Sequence, residues 1–308
     1  MNKLVIGTRA SKLALAQAES VKKSLTQLDS NLQIGLKEIT TRGDRILDKP
    51  LAEIDGKGLF LKEIEKYLLE GSIDLAVHSL KDVPVDLPRG LKLAGYPARE
   101  DPRDVLVATG CTYLRDLPPG AVVGTGSLRR KAQLLQRRSD LKILPVRGNV
   151  NTRLDKLKKG EFQALILAAA GLRRLGLEDL ISSYFSPLDF LPAAGQGALA
   201  VEIRQGDQRI EELIARLEDE DTAIQVRAER ALLSDLGGGC HVPIGCHARI
   251  KTDKLELSAM VAAPDGSEYY RQRLQGPKEK YREIARELAD KLLEAGAEEL
   301  LGEDYNYE

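Results

Sequence analysis

Two of the chain's three cysteines and two of its three histidines crowd into GGGCHVPIGCH, from Gly237 to His247. The ligand types suit zinc. Cys240 and Cys246 stand in C-x5-C spacing with a histidine beside each, whereas structural zinc sites use C-x2–4-C. A redox pair would use C-x-x-C. One activated thiol fits better, because Cys240 follows three glycines whose backbone freedom can present its sulfur into a cleft. Cys246 and Cys111 read as buried and inert.

A second constellation is cationic. Ser127, Arg129 and Arg130 fall where GTGS gives way to LRRKAQLLQRR, and Arg147 and Arg153 follow the next strand pattern in VRGNVNTRL. GLRRLG adds Arg173 and Arg174. Cations are unfavourable at a helix start unless an anion sits there, and arginines recurring at strand-to-helix junctions indicate a cleft for a polyanion. The guanidinium fork pairs with carboxylate or phosphate and keeps its charge. No GxxxxGK[ST] element occurs, and GTGSLR departs from the dinucleotide fingerprint, so carboxylates are the better ligand class. The third element is AVHSLKDVPVDLP, in which Lys81 and Asp82 emerge at the carboxyl end of a strand, the ligand edge of open α/β sheets. An ionised Asp82 there can stabilise a developing cation.

These residues need a scaffold, and the pattern supplies one. KLVIG reads as a strand, with Ser11 as N-cap of a helix over KLALAQAESVKKSLTQL. LQIGLKEIT and DLAVHSL read as strands around the helix LKEIEKYLLEGSI, with a loop at DGKGLF. The alternation restarts after REDPRDV: strands at AVVGTGS and LKILPVRG, helices at LRRKAQLLQRR and NVNTRLDKLKKG, then one buried segment, FQALILAAAGL. LPAAGQGALAVEIR reads as the chain crossing back into a central strand. Beyond Asp221 come a helix, the cysteine loop, the strands KLELSAMVA and SEYYRQRLQ joined by the Asp-Gly turn of APDGS, and one long closing helix. The expectation is two α/β domains with mostly parallel, doubly wound sheets. They run over 1–97 plus 196–217 and over 98–195, followed by a small α+β domain over 218–308 with an antiparallel three-stranded sheet.

The motifs GTRAS, TRGD, GKGLF, AVHSLKDVP, REDPRDV, GTGSLRR, RGNVNTRL, LPAAGQGAL and GGGCHVPIG, in that order, closely resemble those of the porphobilinogen deaminases, or hydroxymethylbilane synthases. The resemblance runs nearly end to end. It implies a transferase of tetrapyrrole (porphyrin and haem) biosynthesis that joins four porphobilinogen molecules head to tail, releasing ammonia each time, and then frees the linear product with water. It also implies periplasmic-binding-protein-like folds for the first two domains. A covalent dipyrromethane cofactor, attached through a thioether, maps onto Cys240, and the catalytic carboxylate onto Asp82. Residues holding the cofactor map onto Lys81, Ser127, Arg129, Arg130 and Arg147. Those meeting substrate map onto Arg9, Ser11, Phe60, Arg153, Arg174 and Gln196. Gly126 stands where serine is frequent in the family.

The bulk composition agrees with an enzyme of this kind. Charged residues make up 30% of the chain, with 46 basic against 47 acidic, so the broad basic field of a nucleic-acid binder is absent. The longest apolar run, ALILAAAGL, falls short of the roughly 20 residues that cross a bilayer. The N-terminal apolar stretch is too short for a signal peptide. The expectation is a cytoplasmic monomer without metal, nucleic acid or membrane partner.

Overall fold

The computed structural model describes residues 3–41, 61–237 and 242–302. Phe60, Cys240 and His241 lie outside the described residues, as do GKGLF and most of TRGD. In chain order the elements begin with β1 (Lys3–Arg9), α1 (Lys12–Leu28), β2 (Gln33–Ile39), α2 (Lys62–Leu69), β3 (Leu75–Ser79) and β4 (Leu91–Gly95). Next come β5 (Asp104–Ala108), β6 (Val122–Gly124), α3 (Leu128–Arg137), β7 (Lys142–Leu144), α4 (Val150–Lys158), β8 (Ala164–Ala168), α5 (Ala169–Arg174) and β9 (Ser183–Tyr184). The chain continues with β10 (Leu199–Arg204), α6 (Gln208–Ala215), α7 (Glu220–Asp235), β11 (Ile244–Lys251), β12 (Lys254–Ala262) and β13 (Tyr269–Pro277). It ends with α8 (Tyr281–Leu292) and α9 (Glu298–Leu301).

Contacts divide the chain into two units, residues 1–100 with 197–223 and residues 101–196 with 224–308. The first holds one sheet in the order β2-β1-β3-β10-β4. β1 pairs in parallel with β2 and β3, and β10 is antiparallel to both β3 and β4. Four of its strands therefore point one way and β10 alone opposes them. Alternation explains its layers. Leu75 and Val77 of β3 join Ala18, Val21 and Leu25 of α1 in one core, while Ala76 joins Ile64 and Leu68 of α2 in another. α1 starts where Ser11 accepts the Ala14 amide at 3.3 Å, the capping expected of serine.

Between that sheet and α2 lies a buried polar cluster. His78 and Glu202 are 2.9 Å apart across β3 and β10, and Glu65 of α2 is also buried. Burial, then the charge of Glu202, raises the Glu65 pKa from 4.5 to about 7, against the opposing pull of His78 and Lys62. The folded chain thus keeps a proton that the unfolded chain releases, so stability falls as pH rises from 4.5 to about 7. Glu65→Gln should flatten that decline. Melting temperatures from pH 5 to 8 would show a shallower slope than wild type; identical slopes would reject the assignment.

The second unit repeats the arrangement as β7-β6-β8-β5-β9. β6 is parallel to β7 and β8, and β5 is antiparallel to its neighbours β8 and β9. The apolar run around residue 168 is not one segment: β8 ends at Ala168 and α5 begins at Ala169. The antiparallel sheet β11-β12-β13 belongs to the same unit. Met260 and Ala262 of β12 pack with Ala132 of α3 and Leu191, and α8 covers the sheet through Ile284, Leu288 and Leu292. The expected single closing helix is interrupted at Gly296, whose φ of 110° no helical residue adopts. A Cβ at Gly296 would meet the Tyr270 hydroxyl at 2.9 Å, so both backbone and space call for glycine.

Candidate active site

In the first unit, two carboxyl strand ends present the expected groups. β1 ends at Arg9, immediately before the Ser11 cap of α1. β3 runs into a single 3₁₀ turn, Leu80–Asp82. That turn is held at its base: Leu80 and Val83 are buried, and the Leu80 amide donates to the Ala198 carbonyl of the β10 approach at 3.1 Å. The Ser79 hydroxyl accepts from Gln17 of α1 at 2.8 Å. Lys81 and Asp82 between these anchors are exposed. The strand is buried through His78, and the turn after it displays one cation and one carboxylate to solvent.

In the second unit the carboxyl ends carry arginine. Ser127 caps α3, its hydroxyl accepting the Arg130 amide at 3.5 Å. Asn149 caps α4 by accepting the Thr152 amide at 3.0 Å. Arg147, just ahead of that cap, is half-buried, and no hydrogen bond or ion pair among the described residues takes its guanidinium. Arg153 donates through Nε to the Gly148 carbonyl at 2.8 Å, and Arg174 closes α5. A side chain at Gly126 would meet the Val146 carbonyl at 3.3 Å, a tight fit for serine.

Arg129 and Arg130 face inward. Both are buried, and between them lies Asp104, fully buried at the start of β5. Arg129 reaches Asp104 Oδ2 through Nη1 at 2.7 Å and also donates to the Leu191 carbonyl. Arg130 donates through Nε and Nη2 to Oδ1 at 2.9 and 2.7 Å, and through Nη1 to the Ile166 carbonyl. Gln196 is equally buried, donating to Asp104 Oδ1 at 3.0 Å and to the Pro102 carbonyl at 2.7 Å. Burial alone would push the Asp104 carboxyl upward. The charges of Arg129 and then Arg130, with hydrogen bonds from Arg129 and Gln196, overcome this and hold it below the usual carboxylate range. Two guanidiniums against one carboxylate leave the cluster net positive, which suits an anionic ligand.

Asp104 is a residue that motif reading overlooks. The available signal is an acid opening the apolar strand DVLVA, since a charge at such a place needs buried partners. β5 is antiparallel, and its first residue pairs with Ala168, the last of β8. The acid therefore stands at the sheet edge where the arginines emerge.

Of the described cysteines, Cys246 is fully buried on β11 within the core that includes Leu255, Leu257 and Leu288. Cys111 is half-buried, and burial, then the charge of Asp116, pushes its thiol up. The Cys111 environment therefore disfavours a thiolate. Glu229 of α7 accepts from the Gly195 amide at 2.6 Å and from the Ala248 amide at 2.8 Å, joining α7, β11 and the LPAAGQGAL segment.

Comparison with known proteins decides what these groups belong to. Residues 4–212 match the family described as "Porphobilinogen deaminase, dipyromethane cofactor binding domain", and residues 223–294 match "Porphobilinogen deaminase, C-terminal domain". The chain belongs to the porphobilinogen deaminase family. A porphobilinogen deaminase of Syntrophobacter fumaroxidans is 50% identical over 300 residues, covering 97% of each chain. One from Syntrophotalea carbinolica is 52% identical over 298 residues, covering 97% of this chain and 95% of the relative. Among solved structures, a putative methionine-binding lipoprotein of Bacillus subtilis is similar at a TM-score of 0.45 and 12% identity, over 72% of this chain and 92% of its own. An arginine-binding periplasmic protein of Salmonella typhimurium is similar at a TM-score of 0.40 and 14% identity, over 72% and 94%. Within this chain, the motifs KDVP and GTGSLRR stand at carboxyl strand ends, and GGGCH beyond Gly237 falls outside the described residues.

Proposed function

We propose that the chain performs the reaction of its family: it joins four porphobilinogen molecules head to tail on a covalent dipyrromethane primer, with loss of ammonia, and releases hydroxymethylbilane by hydrolysis. The observation that carries this reading is the chemical polarity of the two carboxyl sheet edges. One ends in an exposed aspartate on a pinned turn, and the other in arginines that outnumber their buried counter-ion.

The donor set fits such a primer. Its rings carry acetate and propionate groups, and guanidinium forks are the side chains suited to bind them. Cys240 holds it by a thioether, and Arg147 offers an uncommitted fork. Among the described residues Arg129 engages its protein partners through Nη1, leaving donors for a carboxylate. Arg130 and Gln196 contribute from behind, by holding Asp104. Ser127 and Lys81 complete the set. Arg9, Ser11, Phe60, Arg153 and Arg174 receive the incoming ring. When bound, the primer supplies the free α-carbon to which the next pyrrole is joined.

Asp82 does the electrostatic work. Its carboxylate accepts hydrogen bonds from pyrrole N–H groups and steadies the positive charge left on the substrate as ammonia departs. A unit charge pair about 4 Å apart contributes about 4 kcal/mol at an effective dielectric of about 20, roughly a thousand-fold in rate. We read the enzyme as a cytoplasmic monomer of three domains over 1–97 with 196–217, 98–195 and 218–308, taking porphobilinogen as its small-molecule partner.

Intact-protein mass spectrometry tests the whole reading. The resting enzyme should exceed its polypeptide mass by two pyrrole rings, and porphobilinogen should then add rings one at a time. A resting mass equal to the polypeptide, unchanged by porphobilinogen, would refute it.

A further inference from the structure

The buried cluster behind the Asp82 turn has no part in the scheme above. Alternation along β3 puts Ala76 and His78 on the face that α2 covers, and Glu202 stands opposite Ala76 on β10. Glu202 is thus the diagonal neighbour of His78, and their side chains meet at 2.9 Å with exposures of only 7% for His78 and 0% for Glu202. The second carboxylate oxygen of Glu202 is buried with no hydrogen-bond partner among the described residues. Glu65 brings a second carboxyl to the same space.

Stability gives a poor reason for this arrangement. A buried ion pair is often matched or improved upon by apolar residues of similar volume, and an unpartnered carboxylate oxygen adds a further cost. Position gives a better one. His78 precedes Ser79, where β3 ends, and the next three residues form the turn that displays Asp82. Gln17 holds Ser79 from the α1 side, and Ala198, on the approach to β10, holds the Leu80 amide. The α2 side is held by the Glu202–His78 contact. The strand end is therefore fixed from both faces by polar groups of defined direction.

We propose that Glu202, acting through His78, is a positioning residue that sets the placement of the Asp82 carboxylate. The inference rests on Asp82 carrying the chemistry. Among the described residues the two side chains contact each other and none of the arginines assigned to the ligand, so the pair acts on the chemical step and leaves ring binding alone.

Glu202→Gln keeps the shape of the side chain and removes its charge. Turnover per primer-loaded molecule should fall roughly ten-fold or more, since misplacing a catalytic group by about 1 Å costs up to about 10²-fold. KM should stay within about two-fold. His78→Gln should give the same split, and the double variant should lose little beyond either single one. In an Asp82→Asn background, Glu202→Gln should add no loss. Intact mass and melting temperature monitor loading and folding; if Glu202→Gln fails to fold, the KM-against-kcat split of His78→Gln decides.

Unchanged turnover in both variants overturns the proposal. So does a rise in KM alone, a lowered melting temperature with normal turnover per loaded molecule, or additive losses in the double variant. If Asp82→Asn itself turns over normally, the reading of Asp82 fails. If that variant is inactive while Glu202→Gln is normal, only the positioning role fails.

Discussion

Asp82→Asn should yield a folded enzyme that still carries two pyrrole rings but has lost turnover by at least about 10²–10³-fold, the loss typical of deleting one preorganised electrostatic partner. The side chain is exposed on a turn whose anchors are Leu80, Val83, Ser79 and Gln17, none of them altered by the substitution. Exposed substitutions of this kind usually change stability by less than about 0.5 kcal/mol. The amide keeps the size and a hydrogen-bonding oxygen, so what disappears is the negative charge. Steady-state product formation read beside intact mass separates the two contributions. A loaded variant with wild-type rate would remove Asp82 from the mechanism.

How far the sequence discloses this site depends on whether the responsible interactions are local. Ser11 and Ser127 announce their helices because a cap is a contact between residues three apart, and the structure shows both. The arginines at strand-to-helix junctions are legible for the same reason. Asp104 is not, since it meets Arg129 and Arg130 only after β5 has been laid antiparallel beside β8, a pairing that period-two patterning cannot specify. The same holds for Glu202, which reaches His78 across more than a hundred residues because β10 inserts between β3 and β4. The run ALILAAAGL hides its own division: small apolar residues satisfy strand and helix periodicity alike, so the break after Ala168 leaves no mark. In the closing helix, Gly296 was visible as a residue but its break was not, because the Tyr270 ring that leaves no room for a Cβ there comes from β13.

Cys240→Ser should give a chain whose mass equals the bare polypeptide and which forms no product at any porphobilinogen concentration. A thiol is a few per cent ionised at neutral pH and highly nucleophilic, while a serine hydroxyl needs an adjacent base to act at all. Rescue by another sulfur is closed off by the fold. Cys246 has no exposed surface, and its strand is fixed by the amide of Cys246 on Pro192 and that of Ala248 on Glu229. Cys111 has its thiol pushed up by burial and then by Asp116, so it holds its proton more tightly than a free cysteine. The arginines remain in this variant and can still bind acidic pyrroles, but without a bond that survives each cycle every intermediate can dissociate. A two-ring adduct on the serine variant, stable to denaturation, would place the primer on some other residue and detach the glycine-flanked loop from the chemistry.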